Sequence, residues 1–240
     1  MAPATKNSKP IFKTASPFTE TTWPQISHDN QDVILALVCN LISPIGDHRK
    51  QHIHPSKGKK RKRKSKEDGA TQDDAPPPPP PEIGKHILVG INSITRHLEA
   101  LAAQTAPPAM PGAEARPNKE REQPRPISTL LVTHPKPSMS PAHAHLPTLL
   151  HLSTLASATS TSSTRLVPLS TATDARLAAA LHIPRVGALA IFADAPGAKA
   201  LEEFVQEKVG LTECQWVDEA MSAKWKGVNV QTELSVGKKK

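Results

Sequence analysis

The sequence predicts an α/β fold: a three-layer α/β/α sandwich around a small mixed, largely parallel sheet. Three observations carry this expectation. Short apolar runs of strand length alternate with longer runs of helical periodicity. The 25 prolines of this 240-residue chain gather largely in polar stretches, which marks those stretches as insertions rather than elements. With the insertions set aside, roughly 150 residues remain, the size of one domain. The organisation that follows is an extended arm over residues 1–28, one domain assembled from 29–46, 83–104 and 126–215, insertions at 47–82 and 105–125 expected to be disordered, and a tail over 216–240.

Residues 29–43 read as a helix. Val33, Ile34, Leu37, Val38, Leu41 and Ile42 make a wide apolar stripe, Asp29 or Asn30 can cap its start, and Pro44 and Gly46 should stop it. The first insertion holds a basic tract, an acidic patch at Glu67, Asp68, Asp73 and Asp74, and six prolines, Pro76 to Pro81, which form a polyproline II spacer. Residues 86–89 read as a short strand. Residues 92–101 read as a helix, with Ile94, Leu98 and Leu101 at i, i+4 and i+7.

Beyond the second proline-rich insertion, residues 127–133 are a buried strand. Residues 141–156 place Leu146, Leu149, Leu150, Leu152 and Leu155 on a helical face, interrupted near its start by Pro147. A Ser/Thr-rich loop over 157–164 leads to a strand at 165–169 and an Ala-rich helix at 173–181 capped by Thr173. A strand at 187–193 follows, then a helix at 199–209 with Leu201, Phe204, Val205 and Val209 inward.

The formal charge is +8, yet residues 57–66 alone carry eight basic residues and no acid, so the rest of the chain sums to zero. The folded part is therefore not a strongly basic body. Specific recognition of a nucleic acid must come from placed groups, with the tract adding salt-sensitive, non-specific attraction. Within it, Lys59, Lys60, Arg61, Lys62, Arg63 and Lys64 have the pattern of a nuclear-import signal. Cys39 and Cys214 are too few for a disulfide framework or a zinc site, and their apolar neighbours mark core thiols of a reducing compartment. No apolar run reaches the length of a membrane span and residues 1–10 hold no signal-peptide core, so no membrane partner is expected.

Placed groups occur at residues 90–96. On a helix starting just after Gly90, Asn92, Ser93 and Arg96 share a face away from the apolar stripe. Free backbone N–H groups and the positive end of the helix dipole lie at the same point, and Gly90 lets a ligand approach without meeting a Cβ. Two amide or hydroxyl groups and a guanidinium at a helix start suit a polar, anionic ligand such as RNA.

Three segments carry a family resemblance. Gly90-Ile91-Asn92-Ser93-Ile94-Thr95-Arg96 resembles the Gly-x-Asn-Glu-x-Thr-Lys helix start of the kink-turn-binding superfamily of ribosomal, spliceosomal and small nucleolar proteins. His145-Leu146-Pro147-Thr148-Leu149-Leu150 resembles its His-Leu-Pro segment, and residues 181–191 resemble its apolar loop and last strand. The match spans about residues 29–210. Within that superfamily the N-terminal arm, the basic and proline-rich insertion and the Trp-bearing tail are similar to the fungal protein subunit of nuclear ribonuclease P and ribonuclease MRP.

The resemblance implies a non-catalytic RNA-binding subunit, without cofactor, in a particle whose RNA does the chemistry. Its partners would be the catalytic RNA of ribonuclease P and MRP and their other protein subunits. Its processes would be precursor tRNA 5′ processing and precursor rRNA processing, and its location nucleus and nucleolus. It further implies that Gly90, Asn92, Ser93, Thr95 and Arg96 meet RNA from the helix start, while Ile183, Pro184, Arg185 and Val186 cover it from a facing loop. Two positions depart from the family pattern. Ser93 replaces a carboxylate and cannot accept a paired hydrogen bond from a guanine edge. Arg96 replaces Lys, keeping the charge and adding a planar fork.

An enzyme is the first competing reading, since α/β sheets carry active sites beyond strand ends. His134, His143, His145 and His151 cluster in sequence, but no acidic or cysteine partners stand at metal-ligand spacing, and neither a Walker loop nor a Gly-x-Ser-x-Gly elbow is present. These histidines therefore read as helix-surface residues, and Asp174 and Asp194 as a helix-start and a strand-end residue. A reader of single strands needs an aromatic platform, which a chain with no Tyr, four Phe and three Trp lacks. Phe12, Phe18 and Trp23 instead mark the arm as an extended segment that docks on this domain or on a partner. The remaining alternatives are a small nucleolar or ribosome-assembly protein of the same superfamily, or a nuclear scaffold without RNA contacts.

Overall fold

A computed structural model describes residues 8–52, 78–103, 124–134, 136–156, 163–222 and 224–236. The import tract, most of the second insertion and most of the Ser/Thr-rich loop lie outside the described residues. In chain order the elements are β1 (Ser8–Ala15), α1 (His28–His52), β2 (Ile87–Val89), α2 (Ile91–Ala102), β3 (Ile127–Thr133) and α3 (Leu146–Ala156), then β4 (Arg165–Leu169), α4 (Ala172–Leu181), β5 (Ala188–Phe192), α5 (Lys199–Lys208), α6 (Gln215–Met221) and β6 (Asn229–Val236). A short 3-10 turn, Glu82–His86, leads into β2. The chain divides into two units, Trp23–Thr212 and a second made of residues up to Thr22 together with those from Glu213.

The larger unit holds a four-stranded sheet in the order β2-β5-β3-β4. Side chains alternate between its faces with the period of two that strands impose. Leu131, Val167, Leu169, Leu189 and Ile191 join Ile34, Val38, Leu177 and Leu201 of α1, α4 and α5 in one core. Leu130, Val132, Leu166, Ala188 and Ala190 join Ile94, Leu98 and Leu150 of α2 and α3 in the other. This is the expected three-layer sandwich. All seven residues of β3 are buried, as a central strand covered on both faces must be.

The sheet is mixed, as expected, but not largely parallel. Only β3 and β4 run parallel, while β5 is antiparallel to both β2 and β3. The reason lies in what each helix does to the chain's direction. Helix α3 carries it to the opposite end of the sheet, so β4 starts level with β3. The segment after α4 returns to the end it left, where the Val186 amide donates to Asp174 Oδ1 at 2.6 Å, so β5 runs the other way.

Helix α1 also departs from expectation, because it continues through Pro44 and Gly46 to His52. An interior proline costs about 3 kcal/mol. Burial of Ile42 and Ile45 on either side of it, each contributing about 1.5–3 kcal/mol, offsets this. Gly46 is a packing position rather than a stop: a Cβ there would stand 1.9 Å from the Ala180 carbonyl oxygen of α4. Nearby, Arg49 Nη1 donates to the Leu181 carbonyl at 3.1 Å and His48 Nε2 to the Pro78 carbonyl at 2.9 Å. Residues 47–52 and 78–82 are thus ordered against the domain and are not part of a disordered insertion.

In the smaller unit β1 pairs antiparallel with β6, from Ser8 opposite Val236 to Ala15 opposite Asn229. Residues 8–15 of the arm are extended, and the strand they meet is this chain's own tail. Lys13 Nζ lies 2.6 Å from Glu233 Oε2 across the pair. Glu219 accepts hydrogen bonds from Lys226 Nζ (2.7 Å), the Thr19 amide (3.0 Å) and the Thr19 hydroxyl (2.7 Å). The Lys226 contact first, and then those from Thr19, hold its carboxyl down at about 2.

Candidate nucleic-acid interface

Strands β2, β3 and β4 end, and β5 begins, at one end of the sheet, where Val89 is opposite Leu189, Val132 opposite Ala188, and Thr133 opposite Leu169. Gly90 follows directly. Its amide donates to the Ala188 carbonyl at 2.9 Å, its φ is +96°, and nothing stands within 4 Å of where a Cβ would be. Glycine is required here by backbone conformation, and the space over it is open. Helix α2 starts at Ile91 with no side-chain cap, so no side chain satisfies the orphan donors of its first turn.

The apolar stripe of α2 is as the periodicity predicts, with Ile94 and Leu98 fully buried and Leu101 nearly so. Asn92, Ser93 and Arg96 are exposed. Among the described residues none of these three side chains has a hydrogen-bond or ion-pair partner. Thr95 differs: it is half-buried, and its hydroxyl lies 3.2 Å from His145 Nε2. That contact brings the helix start and the His-Leu-Pro segment together in space. Pro147, buried at the second position of α3, sits in a first turn, where its missing N–H removes no intrahelical bond.

The loop after α4 reaches the same end. His182 adopts the left-handed conformation (φ 51°), and the Ile183 amide donates to the Ala178 carbonyl at 3.0 Å, closing the helix. Ile183 packs partly against the first core, while Pro184 and Arg185 are exposed. Val186 was expected among the ligand-covering residues, but it is 1% exposed. Its carbonyl accepts from the Thr133 hydroxyl (2.6 Å) and its amide is held by Asp174. Its backbone anchors the loop, and Pro184 and Arg185 are the side chains the loop leaves exposed. Asp174 acts beyond a helix-start role, since its carboxylate fixes where this loop ends its return.

His134, His143 and His145 lie in the connection between β3 and α3 rather than on a helix surface; only His151 is on α3. His134 and His143 rings are 4.9 Å apart, and His143 Nδ1 is 2.9 Å from the Ser140 hydroxyl. Burial first, and then the charges of His134 and His145, pull the His143 imidazole below its ordinary range, which favours its neutral form. Among the described residues no three His, Cys, Asp or Glu side chains are grouped so as to hold a metal ion.

The opposite end of the sheet holds a cluster that the sequence does not reveal. Arg125, placed by its neighbours in the second insertion, lies with its guanidinium 4.2 Å from the Phe192 ring centroid. Its Nη1 is 3.3 Å from Asp194 Oδ2, and its Nη2 donates to the Lys85 carbonyl. His86 Nδ1 is 3.2 Å from Asp194 Oδ1, and His97 Nε2 donates to the Arg125 carbonyl at 2.7 Å. Partial burial works against ionisation of Asp194, but the His86 hydrogen bond, its own backbone amide and the charges of Arg125 and His86 outweigh it. Its carboxyl is held below the usual range. Only the shared position of these residues at the far ends of β2, β3 and β5 could have signalled the cluster.

What the first end can do chemically is grip. It offers helix-start donors, an amide, a hydroxyl and two exposed guanidiniums, while the Asp174 carboxylate is engaged by backbone. The family model described as RNase P subunit Pop3 matches residues 80–219, more than half of the chain, and the chain belongs to that family. The matched span contains both ends of the sheet. Comparison with curated proteins gives no match.

Proposed function

We propose that this RNase P subunit is a non-catalytic protein that grips a kinked or looped RNA element with the Gly90 end of its sheet. The observation that carries the reading is the start of α2, where Asn92, Ser93 and Arg96 stand exposed around an uncapped helix terminus with open space above Gly90. The helix dipole and first-turn amides favour a phosphate there, and the Arg96 fork can bond it through two N–H groups. Pro184 and Arg185 supply the second side of the grip. Without a carboxylate at position 93, a guanine edge loses its paired acceptor, so contacts from Asn92 and Arg96 to phosphates and to other base edges dominate.

In this reading the particle's RNA performs cleavage and the protein braces it, in ribonuclease P and ribonuclease MRP alike. The processes served are precursor tRNA 5′ processing and precursor rRNA processing, in the nucleus and nucleolus, with residues 59–64 as the import signal. The resemblance to the kink-turn-binding superfamily supports the same face as the contact surface.

The test is binding of the purified full chain to RNase P RNA. Combined Asn92→Ala and Arg96→Ala changes should weaken it by about 2 kcal/mol, since a charge-assisted contact is lost. Unchanged affinity in the double variant would sink the site. A chain lacking residues 57–66 should keep its specific binding and lose only salt-sensitive affinity; complete loss would favour a scaffold without RNA contacts of its own. Cleavage of precursor tRNA by the protein free of RNA would overturn the non-catalytic role.

A further inference from the structure

A second cleft opens at the same end of the sheet, on the other side of β3. It encloses about 410 Å³ between residues 23–31, the segment after β3 and the end of β4. That volume lies within the ~300–1,000 Å³ of small-ligand sites. Its wall is the half-buried Trp23, which packs against the α2/α3 core. The other polar lining groups are Gln25, Gln31, His134, Lys136, Ser138 and Ser170, and no carboxylate is among them. Gln25, Gln31 and His134 are each oriented by a neighbour. Gln31 Nε2 donates to the Ile26 carbonyl (3.2 Å) and Gln25 Nε2 to the Trp23 carbonyl (3.4 Å), which leaves both amide oxygens as acceptors. The Lys136 amide donates to His134 Nδ1 at 3.2 Å, and the exposed Lys136 ammonium has no carboxylate partner among the described residues.

We infer that this cleft holds one unpaired nucleotide of the particle's RNA, its base against Trp23, its edge read by Gln25 and Gln31, and its phosphate met by Lys136. An aromatic wall stacks any base, side-chain amides bond a base edge, and a lone ammonium suits a phosphate. One indole is enough for one base, which is why the shortage of aromatic residues excludes a stacking platform but not this site. The inference rests on the RNA-contact reading above and extends it across β3, since Val186, which anchors the loop of the first site, bonds Thr133 at the end of that strand.

The experiment uses the full chain carrying Trp216→Phe and Trp225→Phe, which leaves Trp23 as its only indole. It is titrated with RNase P RNA and, separately, with adenosine and uridine monophosphates, and RNA affinity is followed independently by filter binding. Stacking should quench Trp23 emission saturably with the RNA, and Gln25→Ala with Lys136→Ala should weaken RNA binding roughly ten-fold. If RNA binds, with the Asn92 and Arg96 dependence intact, while Trp23 emission stays constant, the cleft is not contacted and only this inference falls. Absence of RNA binding overturns both readings. Saturable quenching by a free mononucleotide at concentrations matching the RNA would assign the cleft to a soluble nucleotide and overturn the commitment to RNA.

Discussion

The two ends of the sheet each gather polar side chains around a basic residue, and they differ in how those groups are satisfied. At the Arg125 end the guanidinium stacks on Phe192 and bonds Asp194 and the Lys85 carbonyl, while His86 and His97 complete the set. At the Gly90 end Arg96, Asn92 and Ser93 are exposed with no partner among the described residues, and the helix start is uncapped. A guanidinium whose donors are engaged contributes to the fold; one whose donors face water is available to a ligand. The contrast separates a structural clasp from a surface left open to a ligand without reference to charge alone.

Exchanging each arginine for alanine is the sharpest way to break the comparison. Arg125→Ala should lower the unfolding free energy by about 2 kcal/mol, through lost stacking on Phe192 and the Lys85 hydrogen bond; the half-exposed pair with Asp194 adds little because solvent screens it. Denaturant unfolding measures this, and RNA affinity of the folded variant should not change. Arg96→Ala should do the reverse, moving stability by less than about 0.5 kcal/mol. Equal stability losses in the two variants would erase the distinction. A smaller effect is expected from Gly90→Ala, about 1 kcal/mol of stability, because the positive φ is strained for any Cβ-bearing residue although space is free.

The smallest effects concern acid. His143 has a lowered folded pKa, so the unfolded chain takes up the proton first as pH falls through the window just below about 6.5, and stability drops there. Asp194 has a depressed folded pKa, so its contribution is present above the usual carboxylate range and is lost only as pH falls through the folded value. Stability followed against pH should therefore weaken at the Gly90 end before the Arg125 end. His143→Gln should remove the upper step and Asp194→Asn the lower one, each by a few tenths of a kcal/mol. A single step that survives both changes would contradict the assignment.

Local signals made much of the fold legible. The strands at 127–133 and 165–169 match β3 and β4 residue for residue, because continuous apolar runs between turn signals have one stable use, a buried strand. The stop placed at Pro44 and Gly46 was misleading, since local propensity cannot see that Ile45 enters the first core and Gly46 packs against α4. Alternation of strands and helices likewise carries no information on whether a helix crosses the sheet or returns, and so left the direction of β5 undetermined. The candidate site was legible as Gly90, Asn92, Ser93 and Arg96 because it lies within two helical turns. Arg125 was not, because its partners come from three separate segments.

By itself the sequence determined the three-layer class, the apolar stripe of α2 and the exposed polar face beside it, since all of these follow from short-range periodicity. Tertiary structure alone decided that the Val186 side chain is buried, that residues 8–15 pair with the tail, and that Arg125 closes a clasp while Arg96 stays exposed. Each of these depends on which distant group lies within about 3 Å, the reach of a hydrogen bond. No pattern along one chain segment contains that distance.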